Sequence, residues 1–347
     1  MSARKVTIRD IAQRAGVSAN TVSRALAERG EIRPETREKI LAIARELHYV
    51  PNSLARGLVS RRSDTFGVIV PDSHNPFHAA VISEIQERLR AKGIGVLVVN
   101  SHRTPGADAS AAQLLIKNQV DGVLIFPRET SDSYLAILSE HHIPFVLVGT
   151  EVSDPTVPSI MCQDDLGGYL ATRHLLEQGC RHVVMLAPAV YSLPARLRAR
   201  GYERALQEFG RGRPRIIRQR ATAGDLELGY TLARSLPFEE EGIDGIFAFN
   251  DLMAIGALRA LAERRISVPG DVAVVGYDNV EMGSYVTPSL TSVDLPAVEL
   301  GKEACDLLLR MLAEEDSPGE KPVAHLKLKP ELVVRESSLR GVASRGA

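Results

Sequence analysis

The sequence predicts an all-α helix-turn-helix head with a hinge helix, then an α/β body of two Rossmann-like parallel-sheet lobes. Three observations carry this. Residues 1–62 hold 13 Lys and Arg against 6 Asp and Glu, so a basic head precedes an acidic body. Residues 7–26 hold two short amphipathic stretches parted by a glycine. From Thr65 onward, apolar runs of strand length alternate with helical stretches in two successive series.

Length and composition bound the rest. A chain of 347 residues has room for two or three domains at roughly 100–200 residues each. With 44% apolar and 24% charged residues it is neither disordered as a whole nor a collagen-like or disulfide scaffold. No apolar run approaches the ~18–20 residues of a membrane span. The polar start Met1-Ser-Ala-Arg-Lys offers no apolar core for a secretory signal. Three cysteines, Cys162, Cys180 and Cys305, form no CxxC, which suits a reducing cytoplasm.

In the head, Thr7 is a natural N-cap, with Asp10 where a capping-box partner belongs. Ile8, Ile11, Ala12 and Ala15 line one face, and Gly16 ends the helix. Ser18 caps a second helix whose inward face is Val22, Ala25 and Leu26. Ala19, Asn20, Thr21, Ser23 and Arg24 sit near its start, short or forked as side chains must be to reach base edges in a major groove. A third helix follows from Pro34, with Ile40, Ile43, Ala44 and Leu47 closing a three-helix core.

Val6-Thr-Ile-Arg-Asp-Ile-Ala, Ala15-Gly-Val-Ser, Thr21-Val-Ser-Arg, Glu35-Thr-Arg-Glu-Lys and Leu47-His-Tyr-Val-Pro-Asn together resemble the LacI/GalR family of bacterial transcriptional regulators, and the likeness continues through nearly the whole chain. The resemblance implies a periplasmic-binding-protein-like body and a dimeric, effector-controlled regulator of transcription. It implies that Ala19 and Asn20 read bases, supported by Arg24. The side chains agree, since Asn pairs with adenine, Ala touches a thymine methyl and Arg prefers guanine. Thr7, Ser18, Thr21, Ser23 and Tyr49 are candidates for phosphate contacts, which position without specifying.

Between head and body, Asn52 can cap a short segment carrying Leu54, Ala55 and Leu58, with Gly57 weakening it as a free helix. In the family this hinge becomes helical when a dimer sits on its operator and a leucine wedges into the minor groove. Leu58 matches that leucine, and Ala55 lies on the same segment.

In the body, Gly67-Val-Ile-Val, Val96-Leu-Val-Val, Gly122-Val-Leu-Ile-Phe and Phe145-Val-Leu-Val form one strand series. Val183-Val-Met-Leu, Gly245-Ile-Phe-Ala-Phe and Val272-Ala-Val-Val-Gly form the second. Continuous apolar strands parted by helices mean parallel sheets covered on both faces. The expected organisation is a DNA-binding head over 1–50, a hinge over 51–64, a bilobal body over 65–340 and a tail over 341–347. One lobe is expected to combine 65–164 with 294–325, the other 165–293 with 326–339. Ligands of open α/β sheets sit beyond the carboxyl ends of the strands. There, Asn75 and Phe77 match the family's cleft segment, with His78 at the usual second aromatic. Arg198 aligns with its effector-binding arginine, Asn250 opens an Asn-Asp motif, and Asp278 is the matching acceptor. Gly149-Thr-Glu and Leu295 stand where many relatives carry polar ligand residues, which leaves a less polar pocket or one shaped for a different ligand, so the sugar-like class is what the resemblance implies and not a reading of these residues.

Arg211-Gly-Arg-Pro-Arg-Ile-Ile-Arg-Gln-Arg reads as a solvated loop and edge strand. There is no GxxxxGK[ST], HExxH or GxSxG, so no cofactor, metal or catalysis is expected. Two rivals are a sugar-binding transport-type protein, which would need an export signal and no basic head, and an α/β enzyme acting on sugars or nucleosides. The expected partners are therefore an operator duplex, a sugar-like effector and a second copy of the chain, with no membrane. The absence of heptads over 337–347 favours a dimer over a tetramer.

Overall fold

The computed structural model describes residues 6–26, 32–49, 62–101, 106–127, 132–150, 154–189, 192–219, 224–314 and 325–340. The chain divides into two compact units, Met1–Ser63 and Asp64–Ala347.

The first unit holds α1 (Ile8–Ala15), α2 (Ala19–Leu26) and α3 (Pro34–Glu46). Its core is Ile11, Val22, Ala25 and Ile40, none of them accessible to solvent, with Ala12, Ala15, Ile43 and Ala44 packed around them. Thr7 and Asp10 close the capping box, and Gly16 adopts the left-handed conformation (φ 71°) that turns the chain toward α2.

The second unit contains two six-stranded sheets. The first joins β1 (Thr65–Val70), β2 (Gly95–Asn100), β3 (Gly122–Ile125), β4 (Phe145–Val148), β5 (Ser159–Cys162) and a late strand, His325–Leu328, in the order late strand-β5-β4-β3-β1-β2. All its pairings are parallel. The second joins β6 (Val183–Pro188), β7 (Ile216–Gln219), β8 (Gly245–Ala248), β9 (Ala273–Asp278), β10 (Thr291–Asp294) and a final strand, Glu331–Val333, in the order final strand-β10-β9-β8-β6-β7. The final strand alone runs antiparallel, against β10. Helices alternate with the strands: α4 (Pro76–Arg90), α5 (Ala107–Lys117) and α6 (Asp132–Glu140) in the first lobe, then α7 (Asp164–Glu177), α8 (Leu193–Glu208), α9 (Asp225–Arg234), α10 (Phe238–Glu241) and α11 (Asp251–Glu263). The helix α12 (Ala297–Glu314) returns to pack on α4 and on strands β3 to β5.

The structure adds to and corrects the expected pattern. The late strand His325–Leu328 is β11, paired from His325↔Ser159 to Leu328↔Cys162. The chain therefore returns to the second lobe after Leu328, not at the expected 325/326 boundary. The final strand is β12. Strands β5, β10, β11 and β12 are three or four residues long and carry Ser, Thr, Asp, His, Lys or Glu among their apolar positions. That mixture hides them from a search for apolar runs. Strand β7 lies at its sheet's edge, as its arginine-rich sequence suggests.

Candidate functional site

In the head, α2 begins on the side chains of Ala19 and Asn20, both exposed, as are Ser23 and Arg24, while Thr21 is half-buried. The buried Val22 and Ala25 turn the opposite face into the core, so the polar face is the one left to solvent. Thr7 Oγ1 donates to Asp10 Oδ2 at 2.7 Å, and Ser18 Oγ accepts from Thr21 N at 3.1 Å. Both hydroxyls are thus occupied as caps. Tyr49 packs half-buried against the head's core. The structure brings Ala19, Asn20 and Arg24 together on one exposed stretch. The hinge residues Ala55 and Leu58 lie outside the described residues.

The body has a cavity of about 190 Å³ at the carboxyl ends of its strands, and Asn75, Phe77, Arg198, Asn250 and Asp278 all line it. Local caps position two of them. Asn75 Oδ1 accepts from Phe77 N at 2.9 Å and opens α4. Asn250 Oδ1 accepts from Met253 N at 2.9 Å and opens α11, while its Nδ2 donates to Asp225 Oδ2 at 2.8 Å. The first lobe adds rings: Phe77 to His78 at 5.9 Å between centroids, and His78 edge-on to Phe126 at 5.7 Å. His78 Nδ1 lies 2.8 Å from the Asp72 carbonyl, which can only accept, so that nitrogen carries a hydrogen.

Arg198 is the centre of the polar wall. It is 5% exposed, far from the surface position its helix alone would suggest. Its Nε donates to Asp164 Oδ1 at 2.7 Å and its Nη1 to the Phe249 carbonyl at 2.6 Å. Asp278 Oδ1 lies 3.7 Å from Nη1. The guanidinium stacks on Tyr277 at 3.6 Å and Phe249 at 4.5 Å. Burial opposes its charge, but Asp164, Tyr277 and Asp278 outweigh that and hold its pKa above the ordinary arginine value.

Glycines make this possible. A Cβ on Gly168 would fall on the Arg198 carbonyl, and one on Gly201 on the Asp165 carbonyl, so α7 and α8 cross with backbones touching. A second close crossing, at Gly229 and Gly256, brings the start of α9 to the start of α11 and hence Asp225 to Asn250.

Asp278 has φ 102° and Asn279 φ 50°, conformations that side chains other than glycine rarely adopt. The turn is held from several sides. Asn279 N donates to Ser292 Oγ at 3.0 Å, Asn279 Nδ2 to Asp294 Oδ1 at 2.9 Å, and Arg335 Nη2 to Asn279 Oδ1 at 2.7 Å. Val280 N donates to the fully buried Asp251 at 2.8 Å, and Ser292 Oγ to the same carboxylate at 2.6 Å. Burial pushes the Asp251 carboxyl up to about 7 against those hydrogen bonds.

Sequence reasoning missed Asp164, Asp225 and Asp72, which also line the cavity. The signal for Asp164 was an Asp-Asp pair opening a helix after Ile160-Met-Cys. Among the described residues no group of three or more His, Cys, Asp or Glu is placed to hold a metal ion. No described helix is long and apolar enough to cross a membrane.

Known proteins bear on both units. Residues 7–52 match the bacterial regulatory proteins of the lacI family, and residues 172–338 match a periplasmic binding protein-like domain. The HTH-type transcriptional repressor PurR of Haemophilus influenzae (strain PittEE) is 30% identical over 335 residues, covering 95% of this chain and 98% of the relative. PurR of Edwardsiella ictaluri is 32% identical over 340 residues, covering 96% and 97%. Among solved structures, the lac repressor dimer bound to operator and the anti-inducer ONPF superposes with a TM-score of 0.84 at 28% identity, covering 97% of this chain and 100% of that one. The CelR–cellobiose complex superposes at 0.71 with 30% identity, covering 96% and 100%. With a lacI-type head, a periplasmic binding protein-like body and similarity that runs through both, the chain belongs to the lacI family of bacterial regulatory proteins and is a DNA-binding transcriptional regulator.

Proposed function

We propose that this regulator is a cytoplasmic repressor without enzymatic activity, which binds a near-palindromic operator as a homodimer through the head (1–50) and hinge (51–64). Its affinity is set by a sugar or sugar derivative in the body's cleft. Ala19, Asn20 and Arg24 read bases, and Thr7, Ser18, Thr21, Ser23 and Tyr49 meet phosphates. Ala55 and Leu58 enter the minor groove. Asn75, Phe77, Arg198, Asn250 and Asp278 hold the effector. The observation that carries this reading is their convergence on one cavity in a chain whose head exposes a polar recognition face. A ring wall facing forked polar groups suits a hydroxyl-rich ligand: rings pack on C–H faces while amides and charged groups bind hydroxyls. The relatives point the same way. One lac repressor structure holds operator and the anti-inducer ONPF, another holds ONPG, and CelR holds cellobiose.

Effector and operator then share a coupling free energy, which must be reciprocal. The test is operator selection followed by titration with and without candidate sugars. Asn20→Ala or Arg24→Ala is expected to cost on the order of 1–3 kcal/mol and to relax preference at one position per half-site. Equal weakening on all sequences would make these residues phosphate contacts. Leu58→Ala is expected to lower operator affinity and bending while leaving thermal stability unchanged. A tetramer stable to dilution in light scattering would overturn the dimer.

A further inference from the structure

The turn that presents Asp278 to the cleft is fastened to the strands that link the two lobes. The chain passes between the lobes over residues 162–164, 294–297 and 328–331. These crossings run side by side. Asp294 pairs with Glu331 at the ends of β10 and β12, and Gln163 N donates to the Leu328 carbonyl at 2.9 Å. Asn279, next to Asp278, reaches this bundle with its side chain. Its Nδ2 donates to Asp294 Oδ1 at 2.9 Å, and its Oδ1 accepts from Arg335 Nη2 at 2.7 Å. An arginine can only donate, so the amide oxygen must face Arg335 and the nitrogen the carboxylate. Arg335 lies two residues beyond β12 and ties it to the start of β10. Its Nη1 donates to the Leu290 carbonyl at 2.7 Å and its backbone N to Thr291 Oγ1 at 2.7 Å. Asn279, Asp294 and Arg335 are all half-buried, so water competes for these bonds only in part. The positive φ at both Asp278 and Asn279 is a conformation that persists where the surroundings hold it.

We propose that Asn279 is a positioning residue of the effector cleft: it clasps the Asp278 turn to the crossings at 294–297 and 328–331, so that turn and crossings open and close as one unit. The role of Asp278 rests on the effector reading above; the clasp rests on the bonds of Asn279 itself. Asn279 lines a neighbouring hollow with Asp294, Leu295 and Val298, so it acts on a ligand through Asp278 and the crossings. Leu295, one residue beyond the clasped Asp294, lines the cleft. A ligand held by Asp278 is thereby felt where the chain enters the first lobe. In free-energy terms, the Asn279 bonds carry part of the coupling between the effector cleft and the rest of the regulator.

The experiment uses the full chain and two readouts: amide hydrogen exchange, and operator affinity with and without saturating glucose, ribose or cellobiose. Asn279→Gly accepts the left-handed turn and removes both side-chain bonds. Asn279→Asp keeps an acceptor for Arg335 but sets a second carboxylate against Asp294. Adding Asp294→Asn to Asn279→Asp restores the bond with donor and acceptor exchanged. Each single variant is expected to speed exchange about tenfold at the turn (278–283) and at the crossings (294–300 and 328–335), the scale of one or two lost hydrogen bonds. The double variant is expected to regain wild-type protection. Protection of β6 and β8, and operator affinity without sugar, are expected to match the wild type throughout. Most of the sugar-induced change in operator affinity is expected to be lost in the single variants and regained in the double. Faster exchange at the turn alone, lost protection throughout the second lobe, or no recovery in the double variant overturns the inference. So does a sugar effect that the single variants leave intact, and the effector reading survives that failure. If no sugar shifts operator affinity while exchange follows the expected pattern, the sugar reading falls and the clasp stands.

Discussion

The two lobes share one strand order and line the cavity with different side chains. Each sheet has six strands in the same relative order, yet the first lobe contributes the rings of Phe77, His78 and Phe126 beside Asp72 and Asn75, and the second Arg198, Asp225, Asn250 and Asp278 beside the ring of Phe249. The strands themselves are interchangeable apolar runs. What differs is the few residues beyond each carboxyl end, where the backbone leaves the sheet and side chains point into the cleft. A repeated scaffold therefore allows one wall to carry more rings and the other more charged and amide groups without altering either core.

Four substitutions or titrations break or sharpen this contrast. The largest effect is expected from Arg198→Ala, which strands two buried carboxylates. Stability should fall by about 3–5 kcal/mol, read by thermal or denaturant unfolding, and ligand binding should be lost. Gly168→Ala comes next. Its methyl would meet the Arg198 backbone, and overpacking of this kind costs about 1–3 kcal/mol. Ligand affinity should drop with it, because the α7–α8 crossing sets the Asp164–Arg198 distance. Phe77→Ala, at a half-buried ring on the other wall, should cost about 1 kcal/mol of stability while weakening ligand binding severalfold. An equal stability loss at Phe77 and Arg198 would dissolve the contrast between the walls.

The smallest effect is a pH dependence in the second lobe. His174 is buried, with Nε2 2.7 Å from Ser338 Oγ, which shares a hydrogen bond with Thr291 Oγ1 at 2.7 Å. Burial lowers its pKa from 6.5, so the unfolded chain binds a proton there that the folded chain does not. Stability from this group is complete above that value and falls as pH drops below it, by at most about 1.4 kcal/mol per pH unit. Asp251 works in the opposite sense. Its raised pKa makes the folded state the better proton binder between 3.8 and about 7, so its contribution falls as pH rises through that window. Comparing the unfolding midpoints of the wild type and His174→Gln from pH 5 to 7.5 isolates the histidine. An unchanged difference across that range would remove it from the balance.

The cleft residues were legible through the family resemblance, and two of them also carry local signals. Asn75 and Asn250 each cap the helix that follows within two or three residues, and Thr7 with Asp10 does the same in the head. A cap is a contact between chain neighbours, so residue type and spacing suffice to find it. The family motif pointed to Arg198 and Asp278, which both line the cavity, but said nothing of their partners. Asp164 escaped notice because the strand before it, β5, is four residues long and gains its neighbours β4 and β11 only in the folded sheet.

The sequence by itself determined the three helices of the head, the long apolar strands of the body and the caps that open the head's first two helices, since periodicity and capping act over a few residues. Only the tertiary structure decided that Arg198 is buried between Asp164 and Asp278. That arrangement depends on helices crossing at Gly168 and Gly201, and on a strained turn held by Asp251, Ser292, Asp294 and Arg335. These groups are scattered along the chain, and no local propensity couples them. Close packing and the high cost of an unpaired buried charge do so once the sheet has brought them together.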